Sequence, residues 1–392
     1  MAAERYRQRG VSPAKEDVHA ALTGSDPGLF PSAFCKIVPD VLTGDGAHCL
    51  VMHADGAGTK AALAWLYWRE TGDARVFRGI AQDAVVMNID DMLCVGALGP
   101  FALSNTIGRD AAAVPGEVIA ELIAGFADQA AWFTAQGAPL HLTGGETADV
   151  GDLVRTLIVD ATATARMPRA AVVTNEAVRP GDAIIALACD GQAAWEDAPN
   201  SGIGSNGLTS ARHDLLGADY ARRYPETCAP ATPEALRYSG PFALGDALPG
   251  TPLTVGQALL SPTRSHLPVL LPLLREHRSA IRGLVHCTGG GQTKTLRAGR
   301  GIHHVKDNLF PPPPLFATLQ RVTGTAWREM YQVFNMGHRL EIIGDPALLP
   351  VVEALGRACG IAVRQVGHCE AHGAGPANRV TLHTPGGVEV YP

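Results

Sequence analysis

Three times along this 392-residue chain an apolar run empties into a glycine-rich polar stretch: LVMHADGAGTK at 50–60, LHLTGGETADVGD at 140–152 and IRGLVHCTGGGQTK at 281–294. Each junction reads as a strand closing in a tight loop. The first is the richest in chemistry. Gly56 and Gly58 lack the Cβ atoms that keep a backbone away from a ligand. Successive N–H groups in such a loop form a concavity for anions. Thr59 adds a hydroxyl and Lys60 a point charge suited to phosphate. Asp55 offers an oxygen suited to Mg²⁺. A hairpin turn with a solvated lysine would use the same residues.

The first half of the chain alternates elements. Residues 47–53 form a strand and 61–69, AALAWLYWR, a helix apolar on most sides and hence buried. Residues 79–97 carry helical periodicity up to a stop at Gly96, with Asp83, Asp90 and Asp91 inside it. Acids on a helix usually mark a solvated face. Flanks this apolar favour carboxylates held near a cation. Residues 101–107 read as a strand and 117–137 as an amphipathic helix ending at Gly137. The second junction brings Gly144, Gly145, Glu146 and Thr147 to a loop, and 153–165 is a β-branched strand. Two Gly-acid loops and an acidic helix suit one metal-and-phosphate pocket. Lys36 beside an apolar patch reads first as a surface lysine lying along it. Composition changes at 166–169, which divides the chain into domains 1–167 and 168–392.

The second half opens with the strand 183–188. Gly202-x-Gly204-x-x-Gly207 matches a dinucleotide fingerprint in letters, but a polar stretch separates it from that strand. A glycine cap at the N-terminus of helix 208–216 suits an anion instead. Residues 217–258 lack periodicity and read as a long loop of the kind that forms lids or contact surfaces. A helix over 261–277 entered through Pro262, a strand over 333–343, and a surface loop around His368 and His372 complete the reading. His286 lies on the third strand, before Thr288-Gly289-Gly290-Gly291. A lone strand histidine is as readily structural as a proton carrier.

Composition narrows the partners. With 46 % hydrophobic residues and two domains' length, a large core is available. A net charge of −6 and no basic run argue against nucleic acid. No apolar run reaches membrane-spanning length, the start lacks a signal-peptide core, and the eight cysteines include no C-x-x-C. The expectation is a cytoplasmic protein with free thiols.

In order and spacing, DGAGTK (55–60), DDMLCVGA (90–97), GGETAD (144–149), GSNG (204–207), SPTR (261–264), HCTGGG (286–291) and FNMG (334–337) resemble phosphoribosylformylglycinamidine cyclo-ligase, also called aminoimidazole ribonucleotide synthetase. The resemblance spans nearly the whole chain. It implies an N-terminal ferredoxin-like sheet domain that pairs with its mate in a dimer barrel, and a C-terminal α/β domain. It implies ATP- and Mg²⁺-dependent ring closure of a ribonucleotide in purine biosynthesis: ATP phosphorylates an amide oxygen, and an amidine nitrogen then expels it as phosphate. Onto this chain it maps Lys60, Asp91 and His286 as catalytic. Lys36, Asp55, Gly56, Gly58, Thr59, Lys60 and residues 144–147 would meet ATP. Asp55, Asp91 and Glu146 would hold the metal. Gly204, Ser205, Asn206, Gly207 and Thr288 to Gly291 would meet the substrate. The chain departs from the family at Asp90, where asparagine is usual, at Gly204, where histidine is usual, near residue 30, and in the length of 217–258. Relatives of the same fold act on selenide, thiamine phosphate or carbamoyl groups. The alternatives are therefore another ATP-dependent enzyme of the superfamily, or a weakened nucleotide-binding homologue.

Overall fold

The structure, a computed structural model, describes residues 4–11, 16–373 and 375–392. It is a mixed α/β fold with two principal sheets and no closed barrel among the described residues. The first sheet runs β1-β2-β5-β3-β4, with β1 Ile37–Pro39, β2 His48–Gly56, β3 Phe101–Arg109, β4 Leu140–Asp149 and β5 Leu157–Pro168. Only β3 and β4 are parallel, joined through the helix Gly116–Ala135. Alternate residues of β5 from Leu157 to Met167 point into the core, so the strand has one inner and one outer face.

The helix Val76–Leu93 packs on the inner face against β2 and β5. Its opposite side meets the second half of the chain, so residues all around it are buried, Asp83, Asp90 and Asp91 among them. This explains an apolar pattern wider than one face. The helix Lys60–Thr71 follows β2 and is buried over most of its first half.

The second sheet runs β14-β13-β10-β12-β6-β11-β9. Its strands are β6 Ala183–Ala188, β9 Ile281–His286, β10 Ile302–Lys306, β11 His338–Gly344, β12 Val363–Ala371, β13 Arg379–Thr384 and β14 Gly387–Tyr391. The remaining pair, β7 Asp190–Gly191 and β8 Asn200–Ser201, stands apart. β6 and β11 are buried throughout, with apolar clusters on both sides.

Several elements differ from the sequence reading. Gly144 to Thr147 lie within β4, because a register shift opposite Leu103–Asn105 absorbs the glycine pair without ending the strand. Residues 261–266 are extended, and the helix begins at Leu267. Two side chains of this strap, Thr263 and Ser265, are committed to carboxylates of the neighbouring helix. The strand at 333–343 starts only at His338, after a turn that puts Met336 and Gly337 at positive φ. His368 lies in β12, not in a loop. β5 begins at Leu157 rather than 153.

The segment 217–258 is no open loop. Tyr220, Tyr238, Leu244, Leu248 and Leu253 are buried, and short helices such as Asp219–Arg223 and Val255–Leu260 punctuate it. Tyr238 packs on His213, and Arg223 pairs with Glu70. The segment thus docks on the helices Leu208–Leu215 and Lys60–Thr71. None of its described hydrogen bonds reaches residues 204–207 or 286–291.

Candidate active site

The seam between the two sheets is laced with buried charge. Asp83 and Asp90, seven residues apart, share one helix face, and Asp91 is their neighbour. The strap 261–266 runs along that face, offering alternate residues. Thr263 donates to Asp83 through its N–H (2.7 Å) and its hydroxyl (2.5 Å). Ser265 Oγ (2.5 Å) and His266 N–H (3.0 Å) donate to Asp90. Arg264 turns the other way and forks onto Glu196.

Lys60 is fully buried. Its Nζ donates to Asp83 Oδ1 (3.0 Å), the Gly204 carbonyl (3.2 Å) and the Ser261 carbonyl (2.6 Å). All three ammonium protons are thereby engaged within the protein. The residue read as a phosphate ligand is instead a bolt between the halves of the chain. Burial pulls its pKa down, against the pull of Asp83.

Asp91 stands between two imidazoles. His286 Nδ1 lies 2.5 Å from Asp91 Oδ1, and His53 Nε2 lies 3.3 Å from Oδ2. His286 Nε2 accepts from Arg339 Nε at 3.0 Å, so the His286 proton sits on Nδ1. Burial lowers the His286 pKa, which keeps the ring neutral. His53 differs. Its Nδ1 faces Asn88 Oδ1 at 3.1 Å, and the Asn88 amide is oriented by donation to the carbonyls of Asp55, Ala84 and Ala161. Both His53 nitrogens therefore donate. Burial works against its charge, but Asp91 and Asn88 outweigh burial and raise its pKa. The same contacts, joined by the charge of Lys294, overcome burial at Asp91 and hold its carboxyl well below the usual range.

The remaining sequence candidates fall in three places. Gly204 to Gly207 and Thr288 to Gly291 converge: Gly289 faces Asn206, whose Oδ1 is buried without a hydrogen-bond partner. Ser205 Oγ meets Thr263 Oγ1 at 3.3 Å, and Lys294 Nζ donates to Thr288 Oγ1 at 2.6 Å. Thr59 and Thr209 join hydroxyls at 2.9 Å, so the loop of Gly56 and Gly58 borders the same seam. Lys36 stays half exposed and pairs with Asp26 at 3.4 Å.

The metal set Asp55, Asp91 and Glu146 is not assembled within one chain. Register runs Asp55–Ala161–Asn105–Gly145 across four strands, so Glu146 stands about 14 Å from Asp55 at roughly 4.8 Å per strand. Asp160 stands opposite Gly56 on the outer face of the sheet, whereas Asp55, opposite the inward Ala161, belongs to the inner face. Burial, then the charge of Asp55, raises the Asp160 pKa. Among the described residues one further group has metal-ligand spacing, the buried Cys287, His338 and Glu341. There the Lys306 ammonium lies 2.5 Å from Glu341 and supplies the cation itself.

Sequence reasoning missed His53, Asn88, Lys294 and Arg339. Arg339 carried a usable signal: an arginine inside the apolar run VFNMGHRLEII must find a partner when that run becomes a buried strand.

The family model described as "AIR synthase related protein, N-terminal domain" matches residues 36–167. Relatives named phosphoribosylformylglycinamidine cyclo-ligase extend the match. The protein of Thermococcus gammatolerans is 31 % identical over 312 residues, 79 % of this chain and 74 % of its own. That of Methanothermobacter thermautotrophicus is 30 % identical, covering 76 % of each chain. The chain belongs to the phosphoribosylformylglycinamidine cyclo-ligase family and is a ligase. Among solved structures, a protein of Thermus thermophilus aligns over 92 % of this chain and 97 % of its own, with TM-score 0.51 and 17 % identity. T. maritima PurL complexed with ADP aligns over 99 % of this chain and 50 % of its own, with TM-score 0.52 and 13 % identity. At these identities the likeness is one of fold.

Proposed function

We propose that this protein is the ATP- and Mg²⁺-dependent cyclo-ligase that closes formylglycinamidine ribonucleotide to aminoimidazole ribonucleotide, releasing ADP and phosphate in purine biosynthesis. The observation that carries the reading is the convergence of the glycine turns 204–207 and 288–291 on a seam where Asp91 and His286 form a buried dyad. In this reaction ATP supplies the phosphoryl group that makes the amide oxygen a leaving group.

The residues divide the labour. The glycine turns leave backbone N–H groups and space for a phosphate. Asp55, on the face that borders the seam, suits Mg²⁺, which takes one or two carboxylates and leaves other positions to water and phosphate oxygens. His286, neutral and oriented by Asp91, has one basic nitrogen, Nε2. A proton released on cyclisation is taken there once the Arg339 N–H moves aside, and Asp91 stabilises the resulting imidazolium. Lys60 contributes indirectly, by tying the Gly204 turn and the strap to the helix that bears Asp83.

The reading includes a homodimer. The outer face of the first sheet is uncovered in one chain. It presents Met52 and Ile158 at 64 % and 39 % exposure. Exposed apolar side chains on an uncovered sheet suit a second copy. The edge strand β4, with Glu146, would then lie at the interface.

The test is ADP release and product formation by the purified protein with formylglycinamidine ribonucleotide, ATP and Mg²⁺. Turnover that needs all three supports the reading. Turnover with thiamine phosphate or selenide instead would move the protein to another branch of the superfamily. Tight ADP binding without turnover on any of these substrates would favour the weakened homologue.

A further inference from the structure

Arg339 is 2 % exposed, yet none of its described hydrogen bonds reaches a carboxylate. Nε donates to His286 and Nη2 to the Arg264 carbonyl. Two other buried arginines behave conventionally: Arg9 forks onto Asp214 and Arg264 onto Glu196. Asp83 and Asp90 lie near enough to Arg339 to feel its charge. Both are committed elsewhere, Asp83 to Lys60 and Thr263, Asp90 to Ser265 and His266. A guanidinium never sheds its proton, and a buried charge is normally paired.

The nitrogen left over is Nη1, and it faces Gly204. A Cβ built on Gly204 would lie 2.9 Å from Nη1, and the φ of +64° at this residue also disfavours a side chain. The gap is therefore one that only glycine leaves open. Around it stand the Asn206 amide with its unpartnered Oδ1 and the turn at Gly289. Cation, gap, unused acceptor and glycine turn together describe a receptor for an anion that also carries hydroxyls.

We propose that Arg339 is an anion-binding residue of the seam, its Nη1 taking an oxygen of a ligand phosphate group through the gap at Gly204. Two carriers have this chemistry, a ribose phosphate and a nucleoside polyphosphate. The hydroxyl-accepting Asn206 favours the ribose phosphate. The inference rests on the cyclo-ligase reading only for the identity of the carrier.

The test measures binding of inorganic phosphate, ribose 5-phosphate and ADP by calorimetry to the full-length protein and to Arg339→Gln and Gly204→Ala. Ribose 5-phosphate and phosphate should bind at least tenfold more weakly to both variants, with ADP within twofold of wild type. Loss confined to ADP would assign the same role toward the nucleotide. All three affinities within twofold of wild type, or no binding of any probe to the wild type, overturns the inference. Should Arg339→Gln fail to fold, Gly204→Ala and Arg339→Lys decide. Phosphate binding that depends on Arg339 in a protein without ring-closing activity would sink the cyclo-ligase reading and leave this inference standing.

Discussion

Asp91 and His286 come from opposite halves of the chain, 195 residues apart, and meet at 2.5 Å in a buried seam. The carboxylate fixes which imidazole nitrogen is basic. Its neighbour Asp90, one position along the helix, points to the strap instead. The two acids therefore do different work, and replacing each should give a different signature.

Asp91→Asn should lower turnover by about 10²-fold or more, because an amide neither holds the His286 proton as firmly nor stabilises imidazolium. Asp90→Asn should lower stability more than turnover. It aims an amide N–H₂ at donors from Ser265 or His266, a mismatch of about 1–3 kcal/mol. Steady-state kinetics beside urea denaturation separates them. Equal losses of turnover in both variants would remove Asp91 from its role.

Lys60→Ala should destabilise the protein by about 3–5 kcal/mol, since it strands Asp83 in a buried site. Lys60→Met should be nearly as damaging although it keeps the stem. The double variant Lys60→Ala/Asp83→Ala should cost less than the sum of the single changes, because the two residues share one interaction. Additive costs, or a Lys60→Ala variant as stable as wild type, would return Lys60 to the role of a ligand-facing charge.

How much of this was legible beforehand follows from where the signal resides. The strand 183–188 and the helices around 61–69, 117–137 and 208–216 were readable because their periodicity is local. The glycine pair at 144–145 misled, since a bulge in an edge strand and a loop use the same residues. The strap misled because SPTRSH has the proline of a helix start, while its conformation is dictated by Asp83 and Asp90 some 180 residues away. Lys60 was recognisable as important from DGAGTK. Its partners Ser261 and Gly204 were not, because pairing across the seam leaves no trace in local spacing. The Gly204–Arg339 relationship was half visible, as a glycine where the resembling family has a histidine.

Acid should weaken the fold between about pH 6.5 and 4. Burial holds His213 at about 2 and His266 and His304 at about 4, against an ordinary 6.5. Below 6.5 the unfolded chain binds protons that the folded protein refuses, so stability falls as pH falls, by about 1.4 kcal/mol per pH unit for each histidine. Asp90 and Asp91, lowered in the fold, lose their contribution only below the ordinary carboxylate range. Asp160 and Asp190, raised by burial, act in the opposite sense and offset part of the loss. His53, raised, contributes fully below 6.5 and loses its contribution as pH rises through its folded value. Urea midpoints at pH 7 and 5 measure the balance. His304→Gln, which deletes one of the refusing groups, should flatten the slope. A midpoint that does not move from pH 7 to 5 contradicts the account.

The last prediction concerns the uncovered sheet. On the outer face Met52 of β2 lies opposite Thr164 of β5, and Ile158 of the same strand projects farther along. A face of this kind loses free energy when covered, at about 25 cal/mol per Å² of apolar surface. It gains nothing from the monomer's own helices, which occupy the inner face. If two copies meet here, Ile158→Lys should place like charges close together across the two-fold axis and bury them without partners. The variant should elute as a monomer in light-scattering chromatography, with secondary structure unchanged by circular dichroism. Met52→Lys should act in the same direction, and Ile123→Lys, on the exposed side of the helix Gly116–Ala135, should not. A wild-type monomer, or an Ile158→Lys protein that remains dimeric, would mean that this face is not where copies of the chain meet.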